Sequence, residues 1–176
     1  MTQNVGLDAI AAPDAFTRII ALLDGSRAIY TLHEHAPSVT IQDADANLRF
    51  PVERLVKTIA FRIKDGGYVL VGLCGYRQVD YKKLAALFGV NRTKLMRLTP
   101  EEVETKLGYV LGGVSPFAPN ERTSIVLDEG VLAWATIYCG TGRTDRTLEI
   151  APQELVRVTQ AAVAGLAKDQ APSSIT

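Results

Sequence analysis

Lys57 is the residue whose position in this sequence most directly raises a chemical question. Leu55, Lys57, Ile59, Phe61 and Ile63 alternate along a β-rich run, and alternation sends every second side chain to one face of a strand. That face reads as the core side, with Val56, Thr58, Ala60, Arg62 and Lys64 turned partly outward. An unpaired buried charge is costly, so an ammonium there calls for a bound anion, an acidic partner or a route to solvent. A lysine that snorkels past the sheet edge into water satisfies the same pattern.

Two glycine loops carry the next signal. Gly112-Gly113-Val114-Ser115-Pro116 brackets one turn, expected to be exposed, with a glycine pair and a proline. Glycine lets backbone N–H groups approach a ligand closely, which suits a nest for a carbonyl, phosphate or oxyanion oxygen. Ordinary loop punctuation uses the same residues. Gly140-Thr141-Gly142-Arg143-Thr144-Asp145 follows a strand and offers an arginine as a second oxyanion or phosphate contact. It lacks GxGxxG spacing and a following helix, and GxxxxGK[ST] is absent, so neither nucleotide-binding motif is present.

Other chemistries fare worse. His33-Glu34-His35 would need a third metal ligand from elsewhere and does not match HExxH, so no metal is expected and His35 reads as a structural or pocket-lining residue. Ser115 is followed by proline rather than set in GxSxG, which argues against a Ser-His-Asp hydrolase. Cys74 and Cys139 are far apart without CxxC spacing and read as buried thiols.

The elements that must hold these residues follow from periodicity. Asp14 caps a helix with Phe16, Ile19, Ile20 and Leu23 on one face, and a strand spans Ala28 to Glu34. Thr40 to Asn47 predicts a short helix and Phe50-Pro51 a turn. Leu55 to Lys64 and Tyr68 to Cys74 form a hairpin across Asp65-Gly66-Gly67. A helix runs from Asp80 to Phe88, and Thr99-Pro100-Glu101-Glu102 is a capping box that opens another, ending near Gly108. Strands at Ser124 to Asp128, Leu132 to Cys139 and Thr147 to Ile150 precede a closing helix from Pro152 with Leu155, Val158, Ala162 and Leu166 inward. The expected fold is α+β: a single domain with a mixed, largely antiparallel sheet, partly barrel-like, and packed helices. Its domain spans 14–167, between a loose leader at 1–13 and a polar tail at 168–176.

Charge is uneven. The chain is formally neutral, which argues against a partner held by bulk electrostatics, yet Arg54 to Arg97 holds ten basic residues against two acidic ones, a formal +8. Such a segment attracts phosphate on one side, or is simply a solvated face. No apolar stretch reaches the ~20 residues of a membrane span and no secretory signal opens the chain, so a cytoplasmic protein is expected, without membrane or DNA partners.

Taken in order, Val56-Lys57-Thr58, Gly108-Tyr109 leading to Gly112-Gly113-Val114-Ser115-Pro116-Phe117, Leu127-Asp128-Glu129 and Gly140-x-Gly-Arg with Leu148-Glu149-Ile150-x-Pro152 resemble the YbaK/prolyl-tRNA-synthetase-associated editing domains, from about Ala28 to Val163. The resemblance implies a free-standing deacylase without a cofactor that hydrolyses the ester of a mischarged tRNA carrying a small amino acid. A non-catalytic aminoacyl-tRNA or adenylate binding module, or a partner domain of a synthetase, would use the same residues. By carry-over, Lys57 holds the phosphate or ribose of the terminal adenosine. Gly112, Gly113 and Ser115 join it in the catalytic set. His35, Val114, Pro116, Phe117, Gly140, Gly142 and Arg143 line the substrate. The substrate's own vicinal hydroxyl helps to activate water, and the basic middle segment receives the acceptor stem. Ala118 and Gly130 depart from the family's usual glycine and serine, which leaves the amino acid removed open.

Overall fold

The computed structural model describes residues 12–40, 43, 46 and 50–169. The helix expected at Thr40 to Asn47 therefore lies mostly outside the described residues. Helix α1 (Ala15–Gly25) starts where Asp14 accepts the Thr17 N–H at 2.7 Å. Strand β1 (Tyr30–Glu34) follows. A one-turn 3₁₀ helix (Val52–Arg54) leads into β2 (Leu55–Ile63), and Asp65 at φ 62° turns the chain into β3 (Tyr68–Cys74). Next come α2 (Tyr81–Leu87) and β4 (Leu95–Arg97). The capping box at Thr99 forms as expected, but the helix that it opens, α3 (Pro100–Glu102), relaxes into a π-turn over Val103–Leu107 before Gly108 ends it at φ 68°.

Strand β5 (Thr123–Asp128), β6 (Ile137–Gly140), β7 (Arg146–Ile150), α4 (Pro152–Thr159) and β8 (Ala162–Ala164) complete the chain. Two expectations shorten here. Leu132 to Cys139 is a strand only from Ile137, because Asp128 takes the Gly130 N–H and starts a 3₁₀ turn over Glu129–Ala133. The closing helix stops at Thr159, where Gln160 turns left-handed at φ 54°, and exposed Ala162 enters a strand.

All eight strands join one mixed sheet, in the order β1-β7-β6-β2-β3-β5-β8, with β4 also on β2. Pairs β1/β7, β6/β7, β2/β3 and β2/β4 are antiparallel; β2/β6, β3/β5 and β5/β8 are parallel.

Both faces of the sheet are covered, which corrects the reading of β2 as one-sided. Val56 and Ala60, placed on the outward face by alternation, are each 4% exposed and belong to the larger apolar cluster with α1, α4 and the Val103–Leu107 turn. Phe61, with Ile59 and Ile63 packed beside it, joins a second cluster under α2. A strand with helices on both sides loses the polar-out alternation of a half-exposed one. Val56 also pairs with both Cys74 and Cys139, so the two thiols lie two strand spacings apart, about 9–10 Å and beyond disulfide reach. Burial pushes the Cys74 thiol to about 11 and the Cys139 thiol to about 12.

Candidate active site

The site begins as a gap in the ladder. One edge of β2 pairs with β6 only at Leu55 and Val56, and with β4 only from Phe61 to Ile63. Leu98 N–H donates to Ala60 C=O at 2.9 Å, which closes the gap at its far end. The β2/β3 register gives odd residues their hydrogen bonds to β3, as Gly75 N–H to Leu55 C=O and Ile63 N–H to Gly67 C=O show, so the backbone groups of Thr58 point into the gap. A cavity of about 750 Å³ opens there, lined by residues from both sides of the sheet.

The two glycine loops form one wall because they are packed backbone on backbone. Gly142 N–H donates to Gly113 C=O at 2.9 Å, while Gly113 N–H donates to Val110. A Cβ on Gly113 would stand 2.9 Å from the Gly142 carbonyl, and one on Gly112, at φ 81°, would stand 2.6 Å from Val39 Cα. Real Cβ contacts are not that short, so side chains at either position would force the loops apart.

Electrostatics are one-signed. Lys57, Arg97, Arg143, Arg146 and Lys168 line the cavity, and no aspartate or glutamate does so among the described residues. Arg143 and Arg146 are committed to Asp145, which Arg143 grips through Nε and Nη2 at 2.8 and 2.9 Å. That grip brings the Asp145 carboxyl down to about 2. Lys57 has no acidic partner among the described residues; burial, and then Arg97 beside it, hold its amine below the ordinary lysine value. Two cations are thus left facing an open volume. Thr58 adds a buried hydroxyl without a hydrogen-bond partner among the described residues. His35 donates from Nδ1 to Ala36 C=O at 2.7 Å, which leaves Nε2 to accept from the Thr147 hydroxyl at 2.8 Å.

Of the residues expected at a site, Lys57, His35, Gly112, Val114, Gly140 and Arg143 line this cavity. Gly113, Ser115, Pro116, Phe117 and Gly142 do not. Ser115 is fully buried and donates to the Tyr109 hydroxyl at 3.2 Å; Tyr109 in turn donates to Phe117 C=O at 2.5 Å, a staple that stiffens the loop from behind. Gly113 spends its N–H on Val110 and so cannot offer it to an oxyanion. Arg97, Thr58, Gln78, Arg146, Thr147 and Lys168, none of them among the candidate site residues of the sequence, line it as well. Only the β2/β4 pairing, which sets Arg97 opposite Phe61, brings Arg97 to the site.

The profile of the family described as "Aminoacyl-tRNA editing domain" matches residues 35–158, a stretch that includes β2 with its gap and both glycine loops. The chain belongs to this editing family. It is a hydrolase acting on aminoacyl-tRNA. The editing domain is 27% identical over 153 residues to "Prolyl-tRNA editing protein ProX" of Acetoanaerobium sticklandii, covering 84% of this chain and 92% of that one. It is 23% identical over 146 residues to "Putative Cys-tRNA(Pro)/Cys-tRNA(Cys) deacylase EbsC" of Enterococcus faecalis, covering 81% and 88%. A solved structure described as "a putative trans-editing enzyme for prolyl tRNA synthetase" superposes with a TM-score of 0.74 at 26% identity, over 90% of this chain and 100% of that one. Among the described residues of the editing domain, no helix is long and apolar enough to cross a membrane, and no group of three His, Cys, Asp or Glu could hold a metal ion.

Proposed function

We propose that this editing domain works in trans, in the cytoplasm and alongside a synthetase, removing a small amino acid wrongly esterified to the 3′ end of a tRNA. The single observation that carries the reading is the cavity in the β2 edge, which Lys57 and Arg97 line together with Gly112 and Val114 and which no carboxylate lines among the described residues. The cations take the phosphate or ribose of the terminal adenosine. The backbone bordering the cavity at Gly112 and Val114 holds the ester carbonyl, and Ala60, Leu98 and Val103 enclose the amino acid's side chain.

An aminoacyl ester is already activated, so orientation and stabilisation of the developing oxyanion do most of the work. Water adds to the carbonyl carbon as its proton passes to the vicinal ribose hydroxyl. That hydroxyl gives its own proton to the leaving ribose oxygen as the ester C–O bond breaks. One water is consumed; the free amino acid and the deacylated tRNA leave. His35, held by Ala36 and Thr147, orients Thr147 at the cavity's edge. An apolar pocket separates side chains that differ by one methylene by about 10- to 200-fold, which sets the selectivity to expect between neighbouring small residues.

Purified protein incubated with tRNAs charged with alanine, cysteine, serine or threonine tests this directly. One of the four should be released well above the spontaneous rate. Spontaneous rates throughout the panel would refute the reading.

A further inference from the structure

A second cavity, about 670 Å³, adjoins the first and shares Gln78 and Lys168 with it. Its wall carries Trp134 and Tyr76, which are 37% and 52% exposed, together with Arg77 and two carboxylates, Glu53 and Asp169. Aromatic surface left open inside a concavity is unusual for a group whose ring favours burial.

The polar side of this cavity is built rather than incidental. Asp128, 1% exposed, accepts at one oxygen from the Leu166 and Ala167 N–H groups at 2.8 and 2.9 Å. Its other oxygen takes Arg77 Nη1 at 3.0 Å and the Gly130 N–H at 3.1 Å. Gly130 is what admits the guanidinium, since a Cβ there would lie 2.1 Å from Arg77 Nη1. Arg77 Nε, on the same fixed guanidinium, is buried without a hydrogen-bond partner among the described residues. Leu166 to Lys168 run antiparallel along residues 78–80, and Lys168 Nζ donates to Gln78 Oε1 at 3.1 Å, at the border of the two cavities. Asp169 is held by Lys83 at 3.0 Å, whereas Glu53 offers an acceptor to a base amine. A flat aromatic wall, two cations and a carboxylate acceptor together fit a nucleotide better than a free anion.

We propose that the second cavity holds the nucleotide preceding the terminal adenosine, its base against Trp134 and its phosphate at Lys168 and Arg77. The inference rests on the reading of the first cavity as the seat of the terminal aminoacyl-adenosine. It makes Lys168 the residue that feels both nucleotides at once.

Trp134 is the one tryptophan in the chain, so its fluorescence reports this cavity alone. Titration with the RNA trinucleotide CCA should quench it, whereas adenosine monophosphate, which fills only the first cavity, and inorganic phosphate should not. Trp134→Ala should weaken CCA binding, measured by calorimetry, about tenfold while leaving adenosine monophosphate affinity unchanged, and Trp134→Phe should restore most of the loss. Equal thermal unfolding of the three proteins would exclude a folding effect. CCA that binds without changing the fluorescence, or Trp134→Ala that binds CCA and turns over mischarged tRNA like the wild type, would overturn the proposal while the deacylase reading stands. Quenching by CCA in a protein without deacylase activity would support the nucleotide site and sink the deacylase reading instead.

Discussion

Arg97 stands opposite Phe61 across β4 and β2, which places its guanidinium on the same sheet face as Lys57, two positions along from Ile59. Partners directly opposite in an antiparallel pair share a face, so two like charges meet at one margin of the cavity. A site that keeps two cations close is suited to an anion.

Lys57→Ala should lower kcat/KM for a mischarged tRNA by about 100- to 1000-fold, the range for losing one donor at a developing charge. Circular dichroism and the unfolding midpoint should stay near wild type, because Lys57 is only half-buried and holds no acidic partner among the described residues. Turnover within a few-fold of wild type would remove Lys57 from the mechanism.

The Lys57 amine also sets a pH dependence. Its folded-state pKa lies below the unfolded one, so the charged form carries a penalty in the folded protein that is present below the folded value and is lost as pH rises from there to the ordinary lysine value. Binding of adenosine monophosphate needs the cation and should weaken over that same interval, below where an ordinary lysine titrates. Arg97→Gln removes the smaller of the two causes, the first being burial, and should move the alkaline limb upward though not to the ordinary lysine value. A limb that stays put in calorimetric titrations would assign it to another group.

Gly113→Ala pushes a methyl group against the Gly142 carbonyl and should cost about 1–3 kcal/mol in urea unfolding, as overpacked sites do. The loss of activity should exceed the loss of stability, since the strain is released into the wall that faces the ester.

Asp128→Ala strands the Arg77 guanidinium and three backbone N–H groups that now share one buried carboxylate. Breaking a buried pair from one side typically costs about 3–5 kcal/mol, read as a lower urea midpoint at unchanged slope. A shift under 1 kcal/mol would mean that water replaces the carboxylate freely.

Local chemistry in the sequence was a good guide to local structure. The Thr99 capping box, the Asp14 cap and the hairpin at Asp65 all stand where side chain and turn rules put them. Lys57, Gly112, Val114, Gly140 and Arg143, which announce themselves by type or loop context, do share one cavity. What stayed hidden depends on pairing between distant segments. The parallel partnership of β2 with β6, the opposition of Arg97 and Phe61, and the return of Lys168 beside Gln78 join residues tens of positions apart, and no local rule registers them. Ser115 misled for the converse reason: its loop context suggests exposure, yet its hydroxyl faces Tyr109 in the interior.

The cavity owes its existence to strands that diverge, since β4 and β6 each meet β2 at a different end and, among the described residues, leave its middle unpaired on that side. A hollow made by main-chain geometry does not depend on which side chains decorate it. On the reading proposed above, substitutions at Ala60, Leu98 or Val103 that the surrounding core can absorb would reshape the hollow with the ladder left in place, so selectivity for the discarded amino acid could drift among descendants of one scaffold without a new fold being invented.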